Sequence, residues 1–154
     1  MKNYMKLELP AISENESFAR SAVAAFALTL NPSLSEISDI KTAVSEAVTN
    51  SIVHAYKNRK NPENKIVLFC ETHECEGVGE LHIEVTDYGC GIENVSEAMQ
   101  PFFTTLSPSE RAGMGFTIMQ AFSTEFSVTS EKDKGTTVKM IKRISEGGKS
   151  EENA

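Results

Sequence analysis

Glu46, Asn50 and His54 stand four residues apart. On a helix, successive members of such a set are offset by about 40° around the axis, so all three line one narrow stripe. A carboxylate, an amide and an imidazole there can take a proton, give one oxygen to a cation and order a polar network. A solvated helix face carries the same triplet. Asp87-Tyr88-Gly89-Cys90-Gly91 is the second group. A carboxylate at a strand end can accept from the exocyclic amine of adenine, and Gly89 and Gly91 let backbone approach a flat ring without a Cβ. A plain Asp-x-Gly turn has the same spelling.

The third group, Gly113-Met114-Gly115, opens a helical pattern. Free N–H groups at such a start can cradle phosphate, or the glycines can serve a flexible joint. No GxxxxGK[ST] occurs and no GxGxxG follows a first strand, so neither a Walker nor a Rossmann site is expected. Residues 102–112 read as a lid, from which Arg111 can bring a guanidinium to a terminal phosphate or simply lie on the surface. Gly135-Thr136 enters the last strand, where the Thr136 hydroxyl can back up Asp87.

Periodicity supplies the frame. Residues 6–9 alternate as a short strand that Pro10 closes. Ser13 and Glu16 fit a capping box, and Phe18, Ala22, Val23, Phe26 and Leu30 follow at helical spacing until Asn31-Pro32. A second helix is expected from about 35 to 56, with Ile37, Ile40, Val44, Ala47, Val48, Ser51 and Ile52 as its core stripe. Strands are expected over 65–72 and 80–87 with 73–79 as a loop, then short helices near 95–100 and 116–123, then strands 125–130 and 136–144. The order predicts an α+β fold: a two-layer sandwich, a mixed sheet with helices on one face. Residues 1–145 read as one domain and 146–154 as a frayed tail.

Composition narrows the function classes. In 154 residues, 15 basic against 22 acidic side chains leave a net charge of −7, a poor basis for direct nucleic-acid binding. The longest nearly apolar run, 21–30, falls short of the ~20 residues of a membrane span, and the N-terminus has no apolar signal core. Three cysteines cannot all pair with one another, so reduced thiols and a cytoplasmic setting are expected. Cys70 and Cys75, near His73 and His82, lack the second ligand pair of a zinc site.

Taken in order, Glu46-x-x-x-Asn50-x-x-x-His54, Asp87-x-Gly89-x-Gly91, Gly113-x-Gly115 and Gly135-Thr136 resemble the ATPase/kinase superfamily of gyrase, Hsp90, histidine kinases and MutL. The stretches EAVTNSIVHAY and ERAGMGFTIMQ are similar to the anti-sigma-factor serine kinases of spore-forming bacteria. The resemblance implies a Bergerat-type ATP-binding fold. It implies Mg-ATP with adenine at Asp87 and Thr136, and Mg²⁺ on Asn50. His54, Gly89, Gly91, Thr104, Thr105, Arg111, Gly113, Met114 and Gly115 would complete the nucleotide set. Glu46 would be the base for a serine hydroxyl. It also implies a sigma factor and a serine-bearing anti-anti-sigma protein as partners, a homodimer, and Glu16 and Arg20 as partner contacts. A detached histidine-kinase catalytic domain and a non-catalytic nucleotide-gated binding module remain the alternatives.

Overall fold

Alternating apolar residues make one face of each strand oily, and that face must be covered. The computed structural model describes residues 2–57, 61–100 and 114–145, the Cys75 side chain excepted. Five strands form one sheet among them: β1 (Tyr4–Pro10), β2 (Lys65–Cys75), β3 (Val78–Asp87), β4 (Glu125–Glu131) and β5 (Gly135–Ile144), in the order β1-β2-β3-β5-β4. Ile66, Leu68, Cys70, Leu81, Ile83, Val85, Val138 and Met140 turn inward. They meet Val23 and Ala27 of α1 (Glu14–Ala27) and Ile40, Val44 and Val48 of α2 (Leu34–Asn50). The single-turn α3 (Val95–Ala98) and α4 (Gly115–Ala121) complete the expected β-α-α-β-β-α-α-β-β order. No helix of the described residues is long and apolar enough to cross a membrane.

The α+β sandwich is as expected, but the sheet is not mixed: all four pairings are antiparallel. One crossover helix would return the chain to start a parallel neighbour. Two helices separate β1 from β2, and β2 runs against β1. The expected loop at 73–79 is strand. Glu76 and Gly77 both take positive φ (53° and 80°), as a two-residue type I′ turn needs, so pairing runs out to Cys75 and Val78.

The capping box also moves. Ser13 is helical (φ −60°, ψ −29°) and caps nothing, because the Ile12 and Ser13 carbonyls already accept the N–H groups of Asn15 and Glu16. The box forms at Ser33 and Glu36, just after Pro32, where Ser33 is extended. Ser33 Oγ accepts from Glu36 N at 3.1 Å, and Ser33 N donates to Glu36 Oε1 at 2.9 Å. In α1 the buried stripe is Ala19, Val23 and Ala27, while Phe18, expected in the core, is exposed.

Candidate active site

Asp87 ends β3, opposite Thr136 at the start of β5. The residue is 5% exposed, and its carboxylate is held on three sides. Oδ1 accepts the N–H of Gly89 at 3.1 Å and of Thr136 at 3.2 Å, and Oδ2 accepts the Ser51 hydroxyl at 3.2 Å. Burial pushes the Asp87 pKa above 3.8, and these three bonds oppose it. What results is an oriented acceptor at the sheet edge of a helix end.

The helix end explains Ser51. The expected single helix to Tyr56 is two pieces: α2 stops at Asn50, and Ser51–Ala55 form a π turn. Tyr56 N donates to Ser51 O at 3.1 Å, an i→i−5 bond. Such turns are frequent at functional sites. His54 lies within this turn. Its carbonyl accepts from the Cys90 thiol at 3.5 Å. The Tyr56 hydroxyl donates to Lys65 O at 2.8 Å and accepts from Tyr88 N at 2.7 Å, joining the end of the turn to the loop after Asp87.

That loop is clamped on both sides. Cys90 N donates to Ala55 O at 3.0 Å, and Asp133 N donates to Cys90 O at 2.7 Å. A Cβ on Gly89 would lie 2.4 Å from Ala55 O; one on Gly91, whose φ is +70°, would lie 2.0 Å from Glu131 O. Close packing of the loop against protein backbone therefore requires both glycines.

Asn50 faces the other way. A Cβ on Gly115 would stand 2.9 Å from Asn50 Oδ1 and 3.1 Å from Nδ2, so α4 begins against this amide. Adjacent residues thus join two motifs: Asn50 meets the Gly115 turn and Ser51 meets Asp87. One turn back, Glu46 is 8% exposed, and it lines a hollow of about 240 Å³ with Arg20, Lys41, Thr42 and Ser45. A second hollow of about 280 Å³, lined among others by Glu16, Arg20, Ser45 and Thr49, shares Arg20 and Ser45 with it. Arg20 Nη1 donates to Glu16 Oε1 at 3.3 Å, and the Ser45 hydroxyl donates to the same oxygen.

The sequence-read Glu46, Asn50, Asp87, Gly89, Gly91, Gly115 and Thr136 therefore gather along α2, its π turn and the ends of β3 and β5. Met114 precedes α4, its carbonyl accepting from Ile118 N at 2.9 Å. Thr104, Thr105, Arg111 and Gly113, with the expected lid and tail, lie outside the described residues. Sequence reasoning missed Ser51 and Tyr56. A hydroxyl within an apolar stripe was the available signal, because a buried polar group must find a partner. Among the described residues no three His, Cys, Asp or Glu side chains cluster as a metal site.

A family model described as a histidine kinase-like ATPase domain matches residues 9–142. Anti-sigma F factor of Clostridium botulinum (strain Eklund 17B / Type B) is 50% identical over 93% of this chain and 96% of its own. Anti-sigma F factor of Thermoanaerobacter sp. (strain X514) is 53% identical over 92% of this chain and 94% of its own. Among solved structures, the RsbU and RsbW domains of Rv1364c from Mycobacterium tuberculosis superpose with a TM-score of 0.62 at 18% identity, over 92% of this chain and 32% of that one. The SiaB-SiaC complex from Pseudomonas aeruginosa gives a TM-score of 0.57 at 12% identity, over 91% and 89%. These two likenesses speak for the fold. By residues matched and by identity, the chain belongs to the anti-sigma F factor family of histidine kinase-like ATPase domains.

Proposed function

We propose that the protein is a cytoplasmic anti-sigma factor that binds a sporulation sigma factor and uses Mg-ATP to phosphorylate a serine of that factor's antagonist. The observation that carries this reading is the junction at residues 50 and 51, where the Asn50 amide meets Gly115 and the Ser51 hydroxyl meets Asp87. A purine lying against Asp87 and Thr136 then sends its phosphates along α2 toward Asn50, Gly115 and Glu46. His54 at the π turn and Gly89 and Gly91 beside Asp87 border that path, and the resemblance adds Thr104, Thr105, Arg111, Gly113 and Met114 around the phosphates.

The residues fit a magnesium ion of the phosphate-bound kind. The Asn50 amide oxygen is the one protein ligand the reading needs, since Mg²⁺ keeps waters and takes phosphate oxygens for its other positions. When bound it neutralises phosphate charge and aligns the terminal group. Asp87 binds and orients the base. Glu46 accepts the proton of the serine hydroxyl as that oxygen bonds to the γ-phosphorus and the β–γ bridging oxygen leaves with ADP.

Arg20 borders both hollows between α1 and α2, one of which reaches Glu46. A partner held at Glu16 and Arg20 can thus present a hydroxyl to the base. Phe18, exposed on the same helix, adds apolar contact area. The homodimer belongs to this reading as well, with β1, an edge strand, available for pairing. The test is transfer of labelled phosphate from ATP to the antagonist. An acid-stable phosphoserine is expected. An acid-labile product would favour a histidine-kinase type of transfer, and saturable nucleotide binding without any transfer would favour a nucleotide-gated binding module.

A further inference from the structure

One hydroxyl beside the purine end has every bond accounted for, and the accounting fixes the polarity of its neighbour. Ser130 sits near the end of β4, paired with Thr136 in the sheet. Its Oγ accepts from Ile92 N at 2.7 Å, donates to Gly135 O at 3.0 Å and lies 2.8 Å from Thr136 Oγ1. A serine hydroxyl has one proton and two lone pairs. The Gly135 carbonyl can only accept, so it takes the proton. The Ile92 N–H fills one lone pair. The remaining lone pair receives the Thr136 proton, and Thr136 Oγ1 keeps both of its own lone pairs.

We infer that Ser130 is a specificity-positioning residue: by holding the Thr136 proton it makes Thr136 a pure acceptor and selects a 6-aminopurine over a 6-oxopurine. The inference rests on the nucleotide reading above. Asp87, its carboxylate held by Ser51, Gly89 and Thr136, is the second acceptor at the same edge. Two adjacent acceptors suit an exocyclic amine and repel a carbonyl oxygen. Without Ser130 the Thr136 hydroxyl turns freely and can donate, which a 6-oxopurine accepts.

The experiment compares the dissociation constants of Mg-ATP and Mg-ITP, whose purine carries a carbonyl where ATP carries an amine. Wild type is expected to favour ATP. Ser130→Ala is expected to narrow the ATP/ITP ratio by about tenfold, the usual weight of one well-placed hydrogen bond. Ser130→Thr, which keeps the hydroxyl, is expected to restore it. In a Thr136→Val background, Ser130→Ala is expected to change the ratio no further. A loosened loop alone weakens both nucleotides equally and leaves the ratio fixed, so an unchanged ratio in Ser130→Ala overturns the inference while the nucleotide reading stands. Wild type that binds neither nucleotide overturns both. Should Ser130→Ala fail to fold, Thr136→Val decides alone: a ratio equal to wild type overturns the inference.

Discussion

The two ends of the site are built differently. At the Asp87 end, hydrogen bonds from Ser51, Gly89 and Thr136 fix one carboxylate, Tyr56 and Cys90 pin the following loop, and Gly89, Gly91 and Gly135, the last against Asp87 O, accept backbone contacts no side chain would fit. At the Glu46 end, two hollows of about 240 and 280 Å³ open between α1 and α2, with Arg20 on the rim of both. The first end is finished before any ligand arrives. The second leaves room for a guest. Preorganised groups cost no rearrangement when the ligand binds, so the finished end suits recognition and the roomy end suits a macromolecular substrate.

That contrast can be broken most forcefully at Glu46. Glu46→Gln is expected to slow phosphate transfer by about 10²–10⁴-fold with ATP affinity kept. Single-turnover transfer beside an ATP titration separates the two. Equal losses in both would merge the two ends into one.

Asp87→Asn is the matching change at the finished end. It removes the charge proposed to receive the amine, and about 10–100-fold of ATP affinity is expected to go with it. Stability should move the other way. The folded Asp87 pKa is raised above 3.8, chiefly by burial. Such a group favours the fold fully below its unfolded pKa, and the advantage is lost as pH rises through the folded value. At neutral pH the variant should therefore melt no lower than wild type, as scanning calorimetry can read. ATP affinity of the wild type should fall as acidification protonates this carboxylate.

Smaller effects sharpen the boundary. Arg20→Glu is expected to weaken partner complexes by about tenfold on a sizing column, with ATP affinity unchanged. Gly115→Ala should lower Mg-ATP affinity about threefold, because its Cβ crowds the Asn50 amide, a flexible side-chain end that can shift. Its thermal stability should stay level or rise by up to about 1 kcal/mol, since alanine is the better helix former.

Much of this could be read in the residues alone. Among the described residues, hydrophobic periodicity placed the five strands and the α-helices in order, because burial on one face imposes it on the sequence. Glu46, Asn50 and Asp87 stood out by type and spacing. What stayed hidden was set by tertiary contact. Ser13 and Ser33 spell the same capping box, and only the entry conformation after Pro32 decides which one forms. Glu76-Gly77 lacks the usual Asn or Asp of a tight hairpin, so residues 73–79 read as a loop. The π turn leaves no periodic signature. It is held by Ser51, Tyr56 and Cys90, whose partners lie as far as 36 residues away.

If one Mg-ATP spans both ends, a crystal structure with a non-hydrolysable ATP analogue and Mg²⁺ will reveal it. The adenine amine is expected within hydrogen-bond distance of the Asp87 carboxylate, and the metal about 2.1 Å from Asn50 Oδ1. A purine seated away from Asp87, or a metal held without Asn50, would contradict it.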